Sequence, residues 1–272
     1  MSQRKKTFFI ILFFSFIPDA FAGAYFKINT KGVNDNGTTQ IYIDQARMKI
    51  DVKNRNGFIY DKGTQLITII SDKKREYWQM NKQEIQKTAK KVQVFADKMK
   101  KQIAKMSPQH RKMMLEMMSG KVSDPSKSPA KEKKFTLKKI KSGVKVGKWS
   151  TTQYASYLDG VKKSDLYFTG WKKLGLKKDP TALAMELSRT LSTLFGNAPA
   201  MRKTPQKHAM FNQAENWLKH GIPIKIVNFR NGKVTKTSIV TEVKNSNFSA
   251  KTFVPPKGYA KKKNPLHSIN KL

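Results

Sequence analysis

From residue 24 to residue 80, apolar and polar positions alternate over short runs. AYFKINT (24–30), TQIYIDQARMKIDV (39–52), GFIYD (57–61), TQLITIIS (64–71) and REYWQM (75–80) carry this pattern. A period of two is that of a pleated strand with one buried face. Between the runs stand Asn36-Gly37, Asn56-Gly57, Asp61-Lys62-Gly63 and Ser71-Asp72, residues suited to tight turns. The segment is predicted to be an antiparallel meander.

The period then changes. Ile85, Ala89, Val92, Ala96, Met99, Ile103 and Met106 recur at spacings of four and three, with lysines such as Lys87, Lys91 and Lys98 on other faces. That is one apolar stripe along a helix. Ser107 and Pro108 suit an N-cap and a first helical position, so a second helix is expected over about 108–118, closed by Gly120. Residues 83–120 are therefore predicted to form a helical hairpin inserted into a β-rich chain. The stretch 121–134, with no apolar pattern, reads as a flexible linker.

Strands are expected again at 134–140, 147–158 and 161–171, the last two joined by Asp159-Gly160. Asp179-Pro180 opens a further helix containing Leu183, Leu187, Leu191 and Leu194, and Thr204-Pro205 opens another containing Met210, Ala214 and Trp217. Strands at 222–229, 233–243 and 247–256 complete the pattern, with Asn231-Gly232 between the first two. Neighbouring strands joined by tight turns make one antiparallel sheet of about eight to eleven strands, which curls rather than lying flat. Its apolar face needs cover, and the inserted helices are expected to supply it. The expected class is α+β.

The first 22 residues change the picture of compartment. Arg4, Lys5 and Lys6 precede the apolar run TFFIILFFSFI (7–17), Pro18 and the small-x-small site AFA (20–22). These are the parts of a secretory signal peptide, so a periplasmic protein whose mature chain begins at Gly23 is expected. The expected organisation is a single domain over 23–256, followed by a basic tail at 257–272. No later stretch has the roughly eighteen consecutive apolar residues that a membrane helix needs. The chain has no cysteine, so its stability must come from its core rather than from disulfides.

Charge is the strongest compositional feature. The whole chain is +37, and without residues 1–22 it is +35. Such a field attracts anionic membrane surfaces, acidic partners and polyanions. Only 8 of the 55 basic residues are Arg, the residue whose forked donors read bases, so no specific nucleic acid is expected as a partner. Four histidines are present, none in an H-E-x-x-H pattern. There is no G-x-S-x-G elbow, and the few carboxylates fall mainly in turns and caps. The expectation is no enzyme, no catalytic residue, no cofactor and no metal.

The segment MSPQHRKMMLEMM (106–118) offers a candidate Cu(I) site, because His110, Met114 and Met118 share a helix face and soft thioethers favour that ion. Met113, Met117 and Leu115 widen the surface into an adaptable apolar face instead. Packing over the sheet and contact with a mobile apolar ligand use the same face, and both readings remain open here.

Several segments resemble a known group of exported bacterial proteins. They are ARMKIDV (46–52), REYWQMNK (75–82), MSPQHRKMMLEMM (106–118), GIPIK (221–225) and FVPPKGYAKK (253–262). The group is the domain of unknown function 4412, which is similar to the lipoprotein-carrier (Lol-type) fold. Family members often carry a short V-x-G-y-x-C strand. VKVGKWSTTQY (144–154) stands there with Ser150 in place of the cysteine, which removes any thiol role. The resemblance implies a strongly curved antiparallel sheet, an incomplete β-barrel, with helices covering its concave face over a space able to hold acyl chains. The expected function is a non-enzymatic binding or carrier protein for an apolar, acylated or anionic lipid-type ligand, with a lipid or lipoprotein acyl chain and an anionic membrane surface as partners. Met106, Met113, Met114, Met117, Met118, Tyr77 and Trp78 are the candidate cavity or lid residues. The alternatives are an envelope structural or stress-related interaction protein with a packed interior, and a polyanion-binding protein.

Overall fold

The computed structural model describes residues 23–33, 36–53, 56–117, 134–195 and 217–264. Alternation in the first part of the chain gives six strands: β1 (Gly23–Gly32), β2 (Gly37–Ile43), β3 (Arg47–Val52), β4 (Asn56–Asp61), β5 (Leu66–Ser71) and β6 (Glu76–Met80). Residues 39–52, expected as one strand, are two. Asp44 divides them, its Oδ1 accepting from the N–H groups of Ala46 and Arg47 at 2.9 and 2.6 Å, an Asx turn that reverses the chain. Then follow α1 (Lys82–Lys105), α2 (Pro108–Met117), β7 (Phe135–Val146), β8 (Trp149–Leu158), β9 (Val161–Thr169), α3 (Thr181–Phe195), β10 (Ile222–Arg230), β11 (Lys233–Ser246) and the short β12 (Ala260–Lys261).

All twelve strands belong to one sheet, in the order β12-β6-β5-β4-β3-β2-β1-β11-β10-β9-β8-β7. It consists of two meanders, β1–β6 and β7–β11, joined where β1 lies antiparallel to β11 from Gly23↔Ser246 to Gly32↔Lys236. β12 lies parallel to β6, which makes the sheet mixed.

The expected α+β class, a curved antiparallel sheet or incomplete β-barrel with helices covering its concave face, is overturned by this architecture. The described residues form mostly one large, open, mixed sheet, and the helices among them are few and short beside it. The reason is where the helices reach. α1 touches α3 and β6; among its described side chains Ile85 and Ile103 are buried, and lysines such as Lys87, Lys91 and Lys98 are exposed. These contacts place α1 beside α3 and near one edge of the sheet, where a single helix cannot cover twelve strands.

Strand parity divides the apolar residues between two faces. Ala24, Phe26, Ile43, Met48, Tyr60, Ile67, Met80 and Ile224 belong to the main core, which also takes Ile85 from α1 and Leu183 and Leu187 from α3. On the other face Ile59 and Ile70 pack with Phe253, flanked by Tyr42, Tyr77, Phe248 and Tyr259. The segment after β11 thus lies over this outer face. There Arg47 stacks on Phe253 at 4.5 Å and Arg75 lies 6.0 Å from Tyr259. Among residues 257–272, expected as a basic tail, Ala260 and Lys261 form β12, and 265–272 lie outside the described residues.

Candidate functional site

α3 positions the site. Asp179 precedes it, and its Oδ1 accepts from the Thr181 N–H at 2.9 Å and from the Thr181 hydroxyl at 2.7 Å, satisfying one of the helix's open donors. Leu183 and Leu187, four apart, are buried against the inner face of the sheet. The helix leaves a groove beside this contact, with a volume of about 400 Å3. β1 and β2 contribute Phe26, Ile28, Ile41 and Ile43, and β3 contributes Met48 and Ile50. β10 and β11 contribute Ile222, Ile226 and Val240, and α3 contributes Ala184 and Leu187. Trp217 and Leu218, in the last helical turn before β10, line it as well.

One polar atom in this wall is out of balance. The Trp217 indole Nε1–H is buried and has no acceptor among the described residues. A buried donor left without a partner costs about 1–3 kcal/mol, so a natural chain retains one only where packing or function demands it.

The groove adjoins a second chamber of about 400 Å3 with a different character. The two share Ile43 and Pro180, but Asp44, Gln45, Lys62, Lys178 and Asn245 line the second. Asn245 Nδ2 donates to the Gly175 carbonyl at 2.8 Å, and its Oδ1 accepts from the Lys177 N–H at 2.9 Å, so this side chain is fixed. Apolar groove and polar chamber together match an amphipathic ligand, and each volume lies in the range of about 300–1,000 Å3 usual for ligand pockets.

A smaller cavity of about 220 Å3 lies between α1 and α3, where Tyr60, Glu186, Lys82 and Arg189 meet. The Tyr60 hydroxyl donates to Glu186 Oε1 at 2.9 Å, and Lys62 Nζ lies 3.0 Å from Glu186 Oε2. Burial, followed by the bond to Glu186, pushes the Tyr60 pKa up to about 12. Burial opposes the charge on Glu186, but hydrogen bonds from Lys62 and Tyr60 outweigh it and hold that pKa below the usual carboxylate value. The triad joins β4 to α3, and every member is hydrogen-bonded to another, which suits a tie rather than a reaction centre.

Of the residues expected to form the site, Met106, Met113, Tyr77 and Trp78 have described side chains, and none of these four lines the groove. Met106 is half-buried at the C-cap of α1, and Met113 is 55% exposed on α2. Met114 and Met117 are in α2, and Met118 lies outside the described residues. Tyr77 belongs to the outer-face cluster with Phe253, and Trp78, half-buried, has the opposite parity on the same strand. Neighbours on a strand face opposite ways, so these two could not line one cavity. His110 pairs with Ser107 through Nδ1 at 3.0 Å, which caps α2. Among the described residues no group of three His, Cys, Asp or Glu side chains could hold a metal, and no helix is long and apolar enough to cross a membrane.

Sequence reasoning missed the groove, although its signals were present. Phe26-Lys27-Ile28, Ile41-Tyr42-Ile43 and Met48-Lys49-Ile50 alternate so that their apolar members share one face, and α3 presents leucines four apart. No family model matches the chain, and no curated protein matches it. Among solved structures, one described as the structure of PNGF-II in a C2 space group is similar at 8% identity and a TM-score of 0.38, too slight to bear on fold or activity. That similarity covers 92% of this chain, which spans only 32% of the other.

Proposed function

We propose that this protein is a non-enzymatic binding or carrier protein of the bacterial periplasm, holding the acyl chain of a lipid-type ligand between α3 and the central strands. The observation that carries the reading is the groove of about 400 Å3 with aliphatic and aromatic walls, opening beside a polar chamber. A hydrocarbon chain gains about 0.8 kcal/mol per buried methylene, so even part of a chain would bind usefully. The polar chamber, with Lys62 and Lys178, suits a head group. The net charge of +35 without residues 1–22 favours delivery from an anionic membrane surface.

The test is to purify the protein from its native host and identify co-extracted lipid by mass spectrometry, alongside titration with a fluorescent fatty acid. Co-purifying acyl lipid and saturable, displaceable fluorescence are expected. Ala184 is small and lines the groove, so Ala184→Phe is expected to weaken the fluorescent probe about tenfold while circular dichroism stays unchanged. Lipid-free protein with no saturable probe binding would sink the reading and favour a structural protein of the envelope.

A further inference from the structure

We infer that the groove selects its ligand by length, because the apolar face of the sheet ends in a polar border that an acyl chain gains nothing by crossing. This deepens the acyl-chain reading and rests on it. Ala24 lines the polar chamber, and Ile43, its register partner on β2, lines chamber and groove alike. Asn245, opposite Ala24 on β11, lines the chamber too. One row of the sheet therefore marks where a head group ends and a tail begins. From that row Phe26 and Ile28 carry the groove along β1, Ile41 along β2 and Val240 along β11, with Ile226 on β10. Two residues farther on, the same face turns polar. Thr30 follows Ile28, Thr39 lies beyond Ile41, Ser238 beyond Val240 and Asn228 beyond Ile226. None of these four lines the groove. The Thr30 and Ser238 hydroxyl oxygens are 2.9 Å apart, and the Ser164 hydroxyl on β9 donates to Asn228 Oδ1 at 2.8 Å. The border thus runs across β2, β1, β11, β10 and β9, which are neighbours in that order.

Strand geometry sets the length. A strand advances about 3.4 Å per residue, so Ile43 to Thr39 spans about 14 Å and Ala24 to Thr30 about 20 Å. An extended hydrocarbon, with bonds of about 1.5 Å at near-tetrahedral angles, advances about 1.25 Å per carbon. A tail leaving the chamber therefore meets the border at Thr39 after about 11 carbons and at Thr30 after about 16. Each methylene laid against Ile28 or Ile226 leaves water, which tightens binding about fourfold. One pressed on the Thr30–Ser238 or Ser164–Asn228 pair must strip water from polar groups, and that cost cancels the gain.

The experiment uses the full chain and even-numbered saturated fatty acids from octanoic to eicosanoic, each below its micelle concentration, competing with a fluorescent fatty acid. Affinity is expected to rise about fourfold per methylene in the shorter acids and to be flat beyond about 16 carbons. The double variant Thr30→Val, Ser238→Ala removes both members of one polar pair, a change that costs little stability. It is expected to extend the rise through the longest acids. Val240→Thr keeps the side chain's shape and carries polarity one step nearer the chamber, so it should bring the flattening forward. That variant decides the matter if the double variant does not fold. A rise that continues unbroken to eicosanoic acid overturns the border and leaves the acyl-chain reading standing. So does a chain-length profile that neither variant moves. If no acid of any length competes, both fall.

Discussion

Tyr60 shows how one side chain can link fold and pH response. It is 1% exposed, and its hydroxyl is tied to Glu186 on α3. Its pKa of about 12 lies above the ordinary value of 10.0, so the folded protein holds this proton more firmly than the unfolded chain does. The resulting stability is complete below pH 10 and is lost as pH rises through 12. Tyr60→Phe is expected to cost about 1 kcal/mol at neutral pH and to flatten the alkaline limb of a urea-denaturation series. Glu186 behaves in the opposite sense. Its pKa is depressed, so its contribution is present above the ordinary glutamate range and disappears as pH falls through the folded value. Glu186→Gln should therefore flatten the acid limb, and an unchanged acid limb would remove the triad from the stability account.

Elements depend on local signals of the same kind. Asn81 caps α1 by accepting from the Glu84 N–H at 2.9 Å, and Glu84 returns the bond to the Asn81 N–H at 3.0 Å. Asn81 three positions before Glu84 is the sequence signature of this reciprocal box. Asn81→Ala is expected to lower stability by about 1 kcal/mol in thermal melts. The entry to β10 is less tolerant. Gly221 has φ +114°, and a Cβ there would stand 2.5 Å from the Thr169 carbonyl oxygen. Gly221→Ala must strain the backbone and push against β9, so it should cost more than the loss of the cap and loosen the wall that carries Trp217. Equal melting temperatures for the two variants would contradict that ordering.

On the scale of the whole molecule, an open sheet has edges to protect. β7 is twelve residues long and stands at one edge, where exposed Lys138, Lys139, Lys141 and Lys145 surround the half-exposed Ile140. Charged edges resist pairing with another chain, so part of the lysine excess has a structural use independent of any ligand. Replacing Lys138, Lys139 and Lys141 with threonine should produce concentration-dependent association, visible by light scattering, with little change in the unfolding midpoint of dilute protein. Persistent monomer in that variant would assign the lysines to solubility or membrane attraction instead.

Much of the chain was legible before folding because its signals are local. Alternation marks strands, a four-three spacing marks α1, and Asp159-Gly160 and Asn231-Gly232 mark hairpins whose Asp159 and Asn231 adopt φ of 52°. The lack of cysteine and the excess of lysine were likewise fixed by composition. What the sequence could not determine was how far the helices would reach. A methionine-rich segment and a leucine-rich one present similar apolar stripes, and propensity does not say which sheet face either will meet. Tertiary structure decided that α3 lies against the central strands while Met113 on α2 remains exposed. It also decided that β1 meets β11, bringing Phe26 and Ile28 beside Val240, with Ile226 and Trp217 at the same groove. These contacts join segments about two hundred positions apart, and their energy comes from burying faces against one another, which no local pattern encodes.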